Sequence, residues 1–126
     1  MPPLPKRKYP KSRQGKRRSH LRALQAVRPL REAFVLDLDP SRAGRFATEM
    51  AEELGFRVTP ATELAGAVAA SQICVTCTPA RHPFFGPSLL HPGLFVAAVG
   101  ADSPEKSELA PATLRGARVV PDLTEQ

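Results

Sequence analysis

Apolar and polar positions along this chain fall into alternating helical and extended blocks. Leu21, Leu24 and Val27 recur at i, i+3 and i+6, with Ala23 and Ala26 beside them, which predicts a helix over residues 19–27. Ser19 can cap its start and Pro29 ends it. The run Glu32-Ala33-Phe34-Val35-Leu36-Asp37 reads as a strand ending in a carboxylate. Phe46, Met50 and Leu54, flanked by Ala43 and Ala47, make the stripe of a helix from about 42 to 54, capped by Asp39 or Ser41 and stopped by Gly55. A brief strand at 56–58 and an alanine-rich helix at 62–70 follow. Residues 73–78 form the next strand, broken by Pro79. Prolines 83, 87 and 92 with Gly86 keep 80–92 as loop. Residues 94–99 are a strand, 110–115 a helical turn stopped by Gly116, and 118–121 a last strand.

Strands that alternate with helices, and are apolar along their length, argue a parallel sheet covered on both faces. The expected class is α/β, doubly wound. Ligands in such sheets bind at the carboxyl ends of the strands. Asp37, Thr78 and Asp102 stand there, at or just past three strand ends. A carboxylate in Asp37's place takes the ribose hydroxyls of a dinucleotide, or else caps the following helix, and Asp39 competes for either role. Past the strand at 94–99, Gly100-Ala101-Asp102-Ser103-Pro104-Glu105-Lys106 reads as a binding loop or as an ordinary polar turn.

Charge divides the chain. Residues 1–31 hold eleven Lys or Arg and no acid; residues 32–126 hold seven Lys or Arg against twelve Asp or Glu, so +11 and −5 sum to the net +6. The first 18 residues read as a basic arm, disordered when free, able to neutralise phosphates and to stack Tyr9 on a base, or else as a solvated tail. No apolar run reaches the roughly 18 residues of a membrane span, and no apolar stretch follows the basic start as in a secretory signal. The expected compartment is the cytoplasm, with no membrane partner. Cys74 and Cys77 make one C-x-x-C pair, short of a four-ligand zinc site, and on a strand they point to opposite faces, so they read as structural. His20, His82 and His91 are scattered without ligand spacing, and no metal is expected.

The arm, with Pro5-Lys6-Arg7-Lys8, Ser12-Arg13 and Gly15-Lys16-Arg17-Arg18-Ser19-His20, resembles the opening of bacterial large-subunit ribosomal protein L-thirty-two over its first 20 to 24 residues. That resemblance implies an RNA partner for the arm; the family's zinc ribbon has no counterpart. Residues 19–126 resemble the nucleotide-binding domain of the ornithine cyclodeaminase and mu-crystallin family. The matching residues are Ser19-His20-Leu21-Arg22-Ala23-Leu24, Val35-Leu36-Asp37-Leu38-Asp39-Pro40-Ser41, Val75-Thr76-Cys77-Thr78-Pro79, and Gly100-Ala101-Asp102-Ser103-Pro104-Glu105-Lys106-Ser107-Glu108-Leu109. The last resembles the signature G-x-D-x-P-G-K-x-E-L, with Glu105 at its second glycine.

The family resemblance implies NAD or NADP as cofactor and an amino or imino acid as substrate. It implies hydride transfer at the carbon bearing the amine, with Asp102 acting there and Thr78 lining the cofactor. It also implies a first, central strand and a G-x-G-x-x-G turn ahead of residue 19, where this sequence has Gly15 as its only glycine. The expected fold is therefore an incomplete Rossmann-like parallel sheet at 19–126 behind a basic arm at 1–18. With the substrate domain also absent, little catalysis by this chain alone and marginal stability are expected. A joining of two unrelated coding sequences near residues 14–21, a nonfunctional chimeric product, and association into an oligomer are further expectations.

Overall fold

Among the described residues, four short strands pair two by two in parallel. The computed structural model of the chain, which describes residues 8–101 and 103–121, divides into two units, Met1–Ala70 and Ser71–Gln126. In the first, α1 (Lys8–Val27) precedes β1 (Glu32–Val35), α2 (Pro40–Leu54), β2 (Arg57–Pro60) and α3 (Leu64–Ala69). β1 and β2 pair in parallel, from Glu32 opposite Arg57 to Val35 opposite Pro60. In the second, β3 (Ile73–Thr76) and β4 (Phe95–Ala98) pair in parallel, from Ile73 opposite Phe95 to Thr76 opposite Ala98. A 3-10 turn at Pro87–Leu89 lies between them in sequence and α4 (Pro111–Arg115) follows. Among the described residues no helix is long and apolar enough to cross a membrane.

The two separate two-stranded sheets are what an incomplete Rossmann-like order produces. In the order 3-2-1-4-5-6 a central strand joins the two halves; no described strand pairs with both β1–β2 and β3–β4. Cover is thinner than a doubly wound sheet leads one to expect. Phe95 on β4 is 61% exposed and Phe34 on β1 is 36% exposed. The expected strand at 118–121 does not form: those residues join no ladder, and Val120 is 82% exposed. Pro121 has no N–H to contribute to one.

The first unit's core follows from α2. Pro40 occupies its first turn, where the missing N–H costs nothing. Asp39, rather than Ser41, is the N-cap, its carboxylate accepting from the amides of Ser41 at 2.9 Å and Arg42 at 3.4 Å. Gly55 closes the helix with φ of 77°, its N–H bonded to the Ala51 carbonyl. The helix lays Ala43, Phe46, Ala47 and Met50 against Val35 and Val58 of the two strands, with Leu21 of α1 packed alongside.

α1 is longer than the periodicity suggests. It begins at Lys8, where residues 19–27 were expected to be helical and the segment before them an arm. Pro10 lies in its first turn, where proline is tolerated. The helix is strongly polar, so an apolar stripe could not reveal it. Arginines fasten its second half to the rest of the unit. Arg18 and Arg22, four residues apart, reach Glu49 and Glu53 of α2, also four apart; the Arg22–Glu53 contact is 2.5 Å. Arg17 Nη2 donates to Asp37 Oδ2 at 2.5 Å, with its guanidinium 5.7 Å from the Phe46 ring centroid. The Asp37 side chain is 5% exposed. Burial alone would raise its pKa. The Asp39 amide, the Arg17 guanidinium and Arg42 at 3.8 Å outweigh burial and hold the carboxyl below its ordinary value.

This packing sets the expected cost of three changes. Met50→Ala removes a fully buried side chain and is expected to cost about 2–5 kcal/mol, a large share of a marginal domain's stability, read from denaturant midpoints. Arg17→Ala strips a part-buried, charge-assisted bond and should cost about 1–3 kcal/mol, whereas Arg22→Ala at an exposed pair should cost under about 1 kcal/mol. Asp37 has a folded pKa below its unfolded value of about 3.9. Its contribution is therefore complete above that value and is lost as the pH falls through the lower, folded one. The stability gap between wild type and Arg17→Ala should thus be full at neutral pH and shrink on acidification below about pH 4, as followed by urea unfolding at each pH.

Candidate functional site

β3 and β4 end side by side, and the polar groups that leave those ends converge on one side chain. Glu108, 1% exposed, lies beneath the loop that follows β4. Its Oε1 accepts from the Thr76 hydroxyl at 2.8 Å and the Gly100 amide at 3.0 Å. Its Oε2 accepts from the Thr78 amide at 2.6 Å and the Thr78 hydroxyl at 2.7 Å. Thr78 Oγ1 in turn accepts from the Ala80 amide at 3.2 Å. All four groups that reach the carboxylate are donors, which suits an acceptor-only anion. They are also neutral groups, two hydroxyls and two amides.

The backbone comes with it. Phe84 and Phe85 donate their amides to the Glu108 carbonyl at 2.9 and 3.0 Å, and the Ala110 amide returns to the Phe85 carbonyl at 2.9 Å. Phe85 is fully buried, and the buried Thr113 hydroxyl donates to its carbonyl at 3.1 Å. The Ser107 amide bonds the Ala80 carbonyl at 2.8 Å. The segment after β4 is thus pinned to the segment after β3 on both sides of Glu108.

Gly100 is required by space. A Cβ there would stand 2.5 Å from Glu108 Oε2 and 2.5 Å from the Thr78 carbonyl oxygen. The turn beyond it closes with the Lys106 amide on the Ser103 carbonyl at 3.1 Å. No described non-glycine residue has a positive φ, Glu105 included. A turn with Pro104 at its second position and no positive φ at its third accommodates Glu105 where the signature has glycine.

The expected site residues separate as follows. Thr78 sits at the strand end, in the cluster. Asp102 lies outside the described residues, two positions past Gly100 in sequence. Asp37 belongs to the first unit, just past β1; Asp39 is the helix cap, and Asp37 supports it by accepting the Asp39 amide at 2.9 Å. Its other oxygen is taken by Arg17. Gly15 lies inside the helical span of α1, not in a turn between strand and helix. The Cys74 thiol is pushed up in pKa by burial, then by the Glu108 charge and Cys77, which leaves it a poor nucleophile. Among the described residues no three His, Cys, Asp or Glu side chains are grouped to hold a metal.

Glu108 is the residue that sequence reasoning passed over. Besides its letter in the signature, its signal was the pair Thr76 and Thr78, which share a face of an extended chain at the end of an apolar run. Two hydroxyls aimed the same way into a buried region need a common acceptor.

Three comparisons bear on this geometry. The family model described as "Ornithine cyclodeaminase/mu-crystallin family" matches residues 14–126. A protein of Rhizobium meliloti (strain 1021) whose name calls it a dehydrogenase is 36% identical over 109 residues, 86% of this chain and 33% of its own. An uncharacterised cyclodeaminase of Sinorhizobium fredii is 36% identical over 102 residues, 81% of this chain and 31% of its own. The chain thus spans about a third of the length of the curated relatives it matches. Among solved structures, Thermococcus litoralis Delta(1)-pyrroline-2-carboxylate reductase in complex with NADH and L-proline superposes with a TM-score of 0.74 at 31% identity. That match covers 78% of this chain and 30% of the reductase. The match over residues 14–126, across both strand pairs and the Glu108 loop, makes this chain a member of the ornithine cyclodeaminase/mu-crystallin family.

Proposed function

We propose that this chain supplies the nicotinamide-facing part of an NAD- or NADP-dependent oxidoreductase or deaminase acting on an amino or imino acid. One observation carries the reading. The Glu108 cluster fixes Thr78 and the Gly100 turn side by side at the carboxyl ends of adjacent parallel strands, where such sheets bind ligands. The likeness to a reductase holding NADH and L-proline supports it. Thr78 would line the nicotinamide, and Asp102, two residues beyond Gly100, would steer charge and move a proton at the amine-bearing carbon. The cofactor supplies the hydride; the protein's part is to position and to exclude water.

The fit is uneven along a dinucleotide. At the nicotinamide end the strand termini are held in place. At the adenosine end Asp37 must release Arg17 before it can take ribose hydroxyls. For the pyrophosphate, Gly15 lies within a helix where the family has a glycine-rich turn. Weak cofactor binding and little turnover by this chain alone are the consequence. A second reading rests on the basic charge of residues 1–16, which hold six Lys or Arg and no acid, and takes ribosomal RNA as the partner. A chimeric product with neither activity is the third.

Fluorescence titration with NADH, set beside ribosomal RNA at two salt concentrations, separates these. The expected result is saturable NADH binding about 100-fold or more weaker than a full-length relative measured in parallel, since two or more charge-assisted bonds to phosphate are lost. Arg17→Ala should tighten that binding by freeing Asp37. Salt-steep RNA binding without an NADH response overturns the dinucleotide reading, and no response to either ligand leaves the chimera.

A further inference from the structure

Glu108 is a fully buried carboxylate to which the reaction assigns no chemical step, yet it takes four hydrogen bonds from both strand ends. We propose that Glu108 is the positioning residue of the site: it holds the Thr78 strand end and the Gly100 turn in register for the nicotinamide and the reacting carbon. This rests on the dinucleotide reading above.

The argument is one of donors and acceptors. The Thr76 and Thr78 hydroxyls can rotate to give or to take a hydrogen bond, but the amides of Thr78 and Gly100 can only give. They face different oxygens of Glu108, the Thr78 amide on Oε2 and the Gly100 amide on Oε1. Only a side chain with two acceptor atoms serves both. Glutamine of the same shape has one acceptor and one donor, so it satisfies one strand end and opposes the other. Aspartate is a methylene short and cannot span both. The missing Cβ at Gly100 is the other half of the device. It lets the β4 end close onto the carboxylate and the Thr78 carbonyl, which any side chain would block at 2.5 Å. Thr76, Thr78, Gly100 and Glu108 thus form one clamp across the two strands, and Asp102 follows two residues after its glycine.

The test uses the full 126-residue chain and two readouts, amide hydrogen exchange and NADH affinity. In Glu108→Gln, exchange at the Thr78 or Gly100 amide should accelerate about tenfold or more. The amides of β3 within the ladder and of α2 should keep their rates. NADH affinity should fall about tenfold while the thermal midpoint falls by no more than about 10 °C. Thr76→Val, which deletes one donor at constant shape, is expected to weaken NADH binding in the same direction, and Thr76→Ser to restore it. That pair decides the matter if Glu108→Gln does not fold. Acceleration spread evenly over Ser71–Gly116 would make Glu108 a general stability residue and overturn the proposal. So would unchanged exchange at both amides, unchanged NADH affinity with both amides loosened, or no recovery in Thr76→Ser. If the wild-type chain binds no NADH, the dinucleotide reading fails by itself. The exchange rates of Glu108→Gln then still decide whether the clamp exists.

Discussion

A buried carboxyl group that draws its hydrogen bonds from two strand ends is the constraint on which the second unit is built. Removing a carboxylate from water is expensive, and the expense is met only by aiming enough dipoles at it. Glu108 draws those dipoles from the two strand ends, so the strands cannot part or slip without leaving buried polar groups unpaired. The loop between Gly100 and Glu108 is consequently short of freedom at both ends, with the turn at Ser103–Lys106 closed by its own hydrogen bond. The signature's glycine and its glutamate, eight residues apart, are two halves of one contact. A motif that looks like a loop with a catalytic acid is therefore also a structural clamp.

Electrostatics organises the first unit too, in a different way. The eleven basic residues of the first 31 suggest a segment that reaches out for phosphate. Three of them instead meet carboxylates of the same unit. Arg18 and Arg22 form two rungs with Glu49 and Glu53 because both pairs are spaced by four on their helices, which puts each pair on one face. Arg17 goes further and closes one oxygen of Asp37, a carboxylate just past the end of β1. The basic segment therefore folds back on the acidic groups of its own unit.

Hydrophobic periodicity was a good guide where burial decided the structure. α2 was legible from Phe46, Met50 and Leu54, and its ends from Asp39 and Gly55, because cap and stripe agree. β1, β3 and β4 were legible as apolar runs between breakers. Periodicity failed where something else decided. α1 extends to Lys8 through residues with no apolar stripe, so neither a periodic pattern nor a cap announced it. The strand expected at 118–121 had the right residues, Val119 and Val120, but a strand exists only with a neighbour to pair with, and that is not written in the segment itself. Of the expected site residues, Thr78 lies two positions past the end of β3, which is shorter than the expected strand at 73–78. Glu108 was read as one letter of a motif, because its role depends on hydrogen bonds to residues 8, 30 and 32 positions away.

The two ends of a dinucleotide ask for different things from a protein. Affinity comes chiefly from the pyrophosphate and ribose, through amides at a glycine turn and a carboxylate that accepts the diol. Reactivity comes from the nicotinamide end, where small displacements of a positioned group are costly. On the reading proposed above, Gly15 inside α1 and Arg17 on Asp37 would weaken the first. The clamp around Glu108 would serve the second, and every group it needs lies within residues 76–108. The arrangement of the two strand ends does not depend on a bound cofactor. The reason is that the clamp is held by the protein's own burial and not by the ligand.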